Sequence, residues 1–217
     1  MKKAIMELVF ILDRSGSMSG LESDTIGGYN SMLKKQKEKP GDVKVTTVLF
    51  DDRYEILHNR LDMEAINPIT QEEYYVRGTT ALLDAMGKTI KKMVTFQKHT
   101  PEKKQAKQVL FVIITDGMEN ASRKYSYEQV KNMVDYQKEK YGWEFIFLGA
   151  NIDAYETANR FGIHRDRAVN YHADAKGTHL NYEVLSETVM HMRVNESIDD
   201  SWKEKIEKDF EDRKLRD

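Results

Sequence analysis

The sequence predicts an α/β protein with a doubly wound, mostly parallel sheet, one antiparallel edge strand and helices on both faces. Strand-like and helix-like segments alternate along the 217 residues, as they do in parallel sheets covered by helices. Two strand-like runs, 4–12 and 108–116, are apolar almost throughout, which is typical of central strands buried on both faces. Two further runs, 43–51 and 53–60, follow one another directly and predict a hairpin that forms the antiparallel edge.

The remaining elements follow from hydrophobic spacing. Shorter strands are predicted at 143–150 and 167–172. Apolar residues that recur every three or four positions predict four helices, over 23–37, from Leu82 to Met93, from Ser126 to Gln137 and over 178–194. Ser126 and Gln129 have the spacing of a capping box. Gly27 and Gly28 weaken the first helix by roughly 1 kcal/mol each, and we interpret them as allowing close packing on the sheet.

Composition and charge exclude several classes of protein. The chain carries 34 basic and 36 acidic side chains, so it has no general attraction to nucleic acids or anionic membranes. Without cysteine it has no disulfide framework and no thiolate chemistry. No run approaches the roughly 18 apolar residues of a membrane helix, and the first apolar run is too short for a signal peptide. These features predict a cytoplasmic protein without nucleic-acid or membrane partners.

The sequence divides into a main domain over 1–194 and a charged C-terminal helical extension over 195–217. Ser201 begins a capping-box pattern, which predicts a helix over 201–215. One face of that helix carries an apolar residue at every fourth position, namely Trp202, Ile206 and Phe210. Because a lone amphipathic helix of this length is marginal in water, we expect Trp202 to be buried against the rest of the protein. The alternative is that the apolar face is offered to a partner.

Polar side chains follow both central strands at the point where each strand ends. Asp13, Ser15 and Ser17 come just after the first strand, and Asp116 ends the second. A third polar turn, 78–80, opens a predicted helix. If the two strands are neighbours, Asp13 and Asp116 face each other across the crevice where the winding direction of the sheet reverses. Two carboxylates that close repel one another unless a cation lies between them, and oxygen ligands without His or Cys favour Mg²⁺, Mn²⁺ or Ca²⁺ over Zn²⁺.

These three segments resemble the metal-ion-dependent adhesion site (MIDAS) of von Willebrand factor A (VWA) domains, of the intracellular prokaryotic or phage type. Asp13-Arg14-Ser15-Gly16-Ser17 matches the family's Asp-x-Ser-x-Ser signature, while 77–85 and 112–120 resemble the loops that supply a Thr and an Asp. The resemblance covers residues 4–194 and implies the Rossmann-like VWA fold with one bound cation, Mg²⁺ or Mn²⁺ and less readily Ca²⁺. The ligands that it implies are Asp13, Ser15, Ser17, Thr80 and Asp116.

The same resemblance implies a metal-dependent protein-interaction module and not an enzyme, with no catalytic residue and no organic cofactor. An acidic side chain of a protein partner, Asp or Glu, would replace a water on the cation. One alternative is a Mg²⁺-dependent phosphohydrolase. It is disfavoured because Ser15 stands where aspartyl-phosphate phosphatases place a second Asp. In addition, no His, Lys or second carboxylate is evidently poised as a base, although Glu119 could be proposed. The other alternative is a structural subunit whose metal only stabilises the fold.

Further expectations concern the side chains around these motifs. Arg14 is expected to point to solvent beside the metal. Met18 and Met118 are interpreted as packed side chains, with an apolar rim for a partner as the alternative. The lysine-rich face of 88–107 is expected to be a solvated helix face rather than a nucleic-acid patch.

Overall fold

Six strands form one sheet in the computed structural model, which describes residues 5–214. In chain order they are β1 Met6–Asp13, β2 Val43–Phe50, β3 Tyr54–Asp62, β4 Gln108–Thr115, β5 Glu144–Gly149 and β6 Ala168–Asn170. Across the sheet the order is β3-β2-β1-β4-β5-β6, in which β3 is antiparallel to β2 and the other pairs are parallel. The predicted doubly wound, mostly parallel sheet with one antiparallel edge strand is therefore confirmed.

Six α-helices lie within residues 5–214, and one of them was not predicted. They are α1 Glu22–Lys37, α2 Leu82–His99, α3 Tyr127–Tyr141, α4 Ala154–Arg160, α5 Ala175–Asn195 and α6 Glu204–Lys214. The missed helix is α4, which Asp153 caps by accepting hydrogen bonds from the backbone N–H groups of Tyr155 and Glu156. That capping Asp is the local signal that could have found it. The capping box of Ser126 and Gln129 at the start of α3 is confirmed.

The helices cover both faces of the sheet and bury a hydrophobic core on each. Helices α1, α5 and α6 contribute to one core, and α2, α3 and α4 contribute to the other. Strand β1 supplies Leu8, Phe10 and Leu12 to the first core and Val9 and Ile11 to the second. This alternation is the two-residue period of a strand, and burial of both faces explains why the run is apolar on both.

Gly28 is required by the contact between two helices. A Cβ atom added to Gly28 would lie 2.3 Å from Cδ2 of Tyr182 in α5, whereas one added to Gly27 would meet nothing within 4 Å. The interpretation that these glycines allow close packing on the sheet is therefore wrong, because Gly28 allows α1 to approach helix α5 and not the sheet. Which surface a helical glycine faces depends on the tertiary arrangement and cannot be read from its position in the sequence.

The C-terminal helix packs on the rest of the protein, as predicted. Trp202 is only 7% exposed and donates a hydrogen bond from Nε1 to the carbonyl oxygen of Asp166 at 2.8 Å. Ile206 is buried in the same core, and the ring of Phe210 lies 4.7 Å from that of His172.

The predicted cap of this helix is wrong. The backbone N–H of Ser201 donates to Asp199 Oδ1 at 2.8 Å, so Ser201 belongs to a preceding turn, and α6 begins at Glu204. The last predicted helical residue, 215, lies outside the described residues. The division of the chain at residue 194 stays a prediction. Over residues 5–214, no helix combines the length and the apolar composition that crossing a membrane requires.

Candidate metal site

The predicted site lies at the switch point of the sheet. Strands β1 and β4 run side by side in parallel, and their last paired residues are Leu12 and Ile114. The chain continues from β1 to β2 on one side and from β4 to β5 on the other, so a crevice opens between the two carboxyl ends. Asp13 is the final residue of β1, and Asp116 directly follows β4. The expectation that these strands are neighbours is confirmed.

Asp13 is a buried carboxylate with both oxygens engaged. Its Oδ1 accepts a hydrogen bond from the backbone N–H of Ser15 at 2.7 Å, and its Oδ2 accepts one from Thr115 Oγ1 at 2.5 Å. Burial raises the pKa of Asp13 to about 6, although the hydrogen bonds from Thr115 and Ser15 act in the opposite direction. The surroundings therefore hold the carboxylate in position but leave its negative charge poorly solvated.

Asp116 is joined to the first loop through a chain of hydroxyl groups. Ser17 Oγ donates to Asp116 Oδ1 at 2.5 Å, and Ser17 Oγ lies 3.1 Å from Ser15 Oγ. The other oxygen, Asp116 Oδ2, is buried and has no hydrogen-bond partner within the part of the chain that the structure describes. Burial also raises the pKa of Asp116. A buried carboxylate oxygen without a partner is costly, and a cation bound in the crevice would satisfy it.

Thr80 reaches the same crevice from the third loop. A Cβ atom added to Gly117 would lie 3.0 Å from Ser17 Oγ and 3.3 Å from Thr80 Oγ1, so both hydroxyl groups face one small space beside Gly117. Asn120 holds this arrangement, because its Oδ1 accepts from the backbone N–H of Thr80 at 2.9 Å and its own N–H donates to the Thr80 carbonyl at 3.0 Å. The structure thus brings the five predicted residues together from three loops.

Arg14 does not point to solvent, and that expectation is wrong. Its side chain is fully buried, with Nε donating to Asp51 Oδ2 at 3.2 Å and Nη2 donating to Glu55 Oε2 at 2.6 Å. The backbone explains this placement, because the N–H of Arg14 bonds to the carbonyl of Phe50 at the end of β2. While Asp13 turns into the crevice, Arg14 turns toward the β2–β3 hairpin and its carboxylates.

Asp51 is a supporting residue that the sequence analysis missed. Its Oδ2 accepts a second bond from Arg77 Nε at 2.6 Å, and its backbone carbonyl accepts from the N–H of Ala81 at 2.9 Å. The N–H of Arg77 in turn donates to the Arg14 carbonyl at 2.9 Å. These bonds tie the loop that contains Ser15 to the segment that precedes Thr80. The signal in the sequence is the polar Asp51-Asp52 step between the two runs of the predicted hairpin, which indicates a turn but does not reveal Arg14 and Arg77 as partners.

Three more side chains belong to the loops around the crevice, namely Tyr74, Met18 and Met118. Tyr74 is buried, and its hydroxyl donates to the Asp13 carbonyl at 2.5 Å. Met18 is packed, as interpreted, whereas Met118 is 72% exposed, so its assignment as a packed side chain is wrong. Met118 directly follows Gly117, the residue beside which Ser17 Oγ and Thr80 Oγ1 lie.

Glu119 is fully engaged in structural hydrogen bonds. Oε1 accepts from the backbone N–H groups of Ala121 and Ser122, at 3.0 and 2.7 Å, and Oε2 accepts from Leu83 N–H and Ser122 Oγ, both at 2.8 Å. With four donors bound, both carboxylate oxygens are occupied by groups of the protein itself, so neither is free to contact a substrate. This geometry fixes the loop after β4 against the start of α2.

The fold and the crevice define an α/β domain of the type that binds ligands at the carboxyl ends of its strands. The family model of the von Willebrand factor type A domain matches residues 7–182, which is more than half of the chain. The chain therefore belongs to the von Willebrand factor type A domain family. Domains of this family are generally protein-interaction modules. A comparison with curated proteins finds no match.

Solved structures with the same fold are distant in sequence. A variant of the PilB minor pilin from Streptococcus sanguinis superposes with a TM-score of 0.61 and 12% identity, over 91% of this chain and 64% of that one. The ArnB paralog VWA2 from Sulfolobus acidocaldarius superposes with a TM-score of 0.55 and 19% identity, over 87% of this chain and 46% of that one. A von Willebrand factor type A protein from Catenulispora acidiphila superposes with a TM-score of 0.57 and 11% identity, over 87% of this chain and 43% of that one. This chain thus spans less than two thirds of the length of each, and the likeness concerns the fold.

Proposed function

We propose that the protein is a metal-dependent interaction module that holds one divalent cation in the crevice and binds an acidic side chain of a protein partner. The ligand set of this proposal is Asp13, Ser15, Ser17, Thr80 and Asp116. When bound, the cation supplies a positive charge with exchangeable ligand positions, which a carboxylate of the partner can occupy.

The observation that carries the proposal is the buried Asp116 Oδ2 without a hydrogen-bond partner in the described chain. The other oxygen of Asp116 accepts a hydrogen bond from Ser17 Oγ, and Ser17 Oγ is hydrogen-bonded to Ser15 Oγ. Ser15 in turn donates its backbone N–H to Asp13, so the two carboxylates are linked. Two carboxylates and three hydroxyl groups give oxygen donors only, which favours Mg²⁺ and Mn²⁺, with Ca²⁺ as the weaker choice because it prefers more ligands. The two ligand charges neutralise the cation, and its attraction for a further carboxylate then depends on direct coordination.

The enzymatic alternative has less support than the interaction module. Glu119, the base that the sequence suggested for a phosphohydrolase, already accepts hydrogen bonds from Leu83, Ala121 and Ser122. The intracellular prokaryotic or phage type and the cytoplasmic location stay predictions of the sequence.

Calorimetric titration with Mg²⁺ tests the metal site. Asp116→Ala is expected to weaken Mg²⁺ affinity by at least about tenfold, because it removes a charged ligand. Asp42→Ala is the matched control, since this exposed carboxylate lies beside the first residue of β2. It is therefore at the amino ends of the parallel strands, away from the crevice at their carboxyl ends. Equal affinity in the wild type and Asp116→Ala would contradict the ligand set.

A thermal melt in EDTA separates this proposal from a structural metal, because the apo protein is expected to stay folded.

A second experiment tests the partner chemistry. Mg²⁺ should allow the wild-type protein to capture a partner that EDTA releases and that Asp116→Ala does not retain. Replacing Asp and Glu of the captured partner by Asn and Gln, one at a time, should then abolish capture at one position. Capture that is unaffected by EDTA would contradict a metal-mediated contact.

A further inference from the structure

A groove lined by lysines lies along α2, on a different surface from the crevice. Its walls include Lys88, Lys91, Lys92 and Phe96 of α2, and Lys124 and Tyr125 of the segment before α3. The groove is shallow and open to solvent, with a volume of about 650 Å³. The sequence predicted a solvated helix face here, and residues 124–125 beside the helix form the second wall of the groove. This position is fixed by Asp84, whose Oδ1 accepts from the backbone N–H groups of Lys124 and Tyr125 at 2.8 and 3.0 Å.

The lysines of this groove have no carboxylate partners. Among residues 5–214, no Asp or Glu oxygen lies within 4.0 Å of the ammonium group of Lys88, Lys91, Lys92 or Lys124. Lys88, Lys91 and Lys92 stand three and four positions apart on the helix, a spacing at which like charges repel. Four positive charges therefore share one concave surface, and their mutual repulsion is relieved when an anion binds between them.

Two aromatic side chains, Phe96 and Tyr125, line the groove, and Phe96 is already in contact with cations. The ammonium group of Lys92 lies 4.8 Å from the ring centre of Phe96, and the guanidinium group of Arg60 lies 5.2 Å from the same centre. Tyr125 lies against α2, because a Cβ atom added to Gly87 would be 2.5 Å from its Cδ1. Single-stranded nucleic acids bind by stacking bases on free aromatic faces, and Phe96 is already covered by two cations. The four lysines instead complement the carboxylates of an acidic peptide.

We propose that this groove binds an acidic segment of a protein partner, one that presents several Asp or Glu side chains to Lys88, Lys91, Lys92 and Lys124. The charge complementarity of the groove carries this assignment. Binding at the groove does not require the cation of the crevice, so the two sites can be tested separately. Where one partner carries both a single metal-binding carboxylate and an acidic segment, the groove adds affinity and orientation to the contact.

Fluorescence anisotropy with a fluorescein-labelled oligo-glutamate peptide tests this proposal, using the 217-residue chain in EDTA so that the crevice takes no part. The wild-type protein should bind with saturation, and the variant K88Q/K91Q/K124Q should bind at least about tenfold more weakly. The control variant K34Q/K39Q/K208Q removes the same charge from three exposed lysines elsewhere and should bind like the wild type within about twofold. Chemical shifts of the wild-type protein should change mainly at 88–96 and 124–125.

Three results of the binding measurements would overturn the proposal. The first is the absence of saturable binding of oligo-glutamate to the wild-type protein. The second is an equal loss of binding in the two triple variants, which would indicate an effect of overall charge. The third is tighter binding of an oligodeoxythymidine of equal charge, which would assign the groove to nucleic acid. The chemical-shift map keeps the test decisive if a variant folds poorly, because shifts that map outside the groove would also contradict it.

Discussion

Arg14 and Asp51 form an ion pair in which neither side chain is exposed, with Arg14 Nε 3.2 Å from Asp51 Oδ2. Arg77 Nε shares the same oxygen at 2.6 Å. Charges removed from water are costly unless each finds a partner, so the pair constrains the position of both side chains. Because Arg14 stands between Asp13 and Ser15 in the sequence, the pair also constrains the loop that carries the first proposed metal ligands.

Asp51→Ala should destabilise the protein by about 3 kcal/mol, because it leaves the buried Arg14 with only Glu55 as a charged partner. Urea denaturation measures this loss. Asp52→Ala is the control at the adjacent exposed position, and its effect should stay within about 0.5 kcal/mol. If the free energy of unfolding falls by the same small amount in both variants, the Arg14–Asp51 pair does not contribute to stability as the structure indicates.

Gly117→Ala should weaken Mg²⁺ binding by about tenfold while the fold persists, because the added methyl group would occupy the space beside Ser17 Oγ and Thr80 Oγ1. Calorimetric titration and a thermal melt provide the two readouts. Gly27→Ala serves as the control, since nothing lies within 4 Å of its added Cβ. Unchanged affinity in Gly117→Ala would mean that the two hydroxyl groups do not face the cation from this side.

Gly28→Ala and Gly27→Ala should change stability in opposite directions. The methyl group at Gly28 would lie 2.3 Å from Tyr182 Cδ2 and should cost about 1–3 kcal/mol through overpacking. The methyl group at Gly27 meets no atom and should stabilise α1 by up to about 1 kcal/mol, since alanine favours helix. Chemical denaturation of both variants decides the matter, and stabilisation by Gly28→Ala would contradict the close approach of α1 to α5.

His58 should make the protein less stable in mild acid. It lies between Tyr29 and Thr47, with Nδ1 3.0 Å from Thr47 Oγ1, and burial lowers its pKa. A histidine with a lowered folded pKa takes up its proton more readily in the unfolded chain. It has no effect on stability well above about pH 6.5 and reduces stability as the pH falls below that value.

The comparison with His58→Gln isolates this effect from the other titrating groups. The variant should be less stable than the wild type by about 1 kcal/mol at pH 7, because hydrogen bonds are disturbed. The difference between the two proteins should then shrink at pH 5, where only the wild type suffers from His58. Urea titrations at pH 7 and pH 5 give the free energies of unfolding of both proteins. A difference between the two proteins that stays constant with pH would refute the assigned direction of the pKa shift.

The parts of the structure that follow from local pattern could be predicted from the sequence. Strands β1 and β4 are recognisable because burial on both faces requires apolar side chains at every position. The loops after them are recognisable because polar, small residues replace the apolar run at Asp13 and Asp116. Their meeting at one crevice follows from the rule that parallel strands end at the same edge of a sheet.

The parts that depend on a distant partner could not be predicted. Arg14 reads as a solvent-exposed residue because arginine is rarely buried without a partner, and its partner Asp51 is 37 positions away. Likewise, Tyr74 bonds to the Asp13 carbonyl from 61 positions away, and no spacing rule connects the two. The partner of Gly28 is Tyr182 on α5, which is still farther away in the sequence. From the sequence alone, a glycine in a helix indicates flexibility, whereas the structure requires a residue without a side chain at this contact.

The docking of α6 also bears on the association of the protein with copies of itself. Strand β6 has three residues and ends the sheet beside β5, so it presents a backbone edge on its other side. Lys203 Nζ donates to the carbonyl oxygen of Ala168 at 3.0 Å, and Trp202 closes over Asp166. A positive charge and a covering helix are the means by which sheet edges avoid pairing with other sheets. Loss of the segment after α5 would therefore first appear as aggregation through β6.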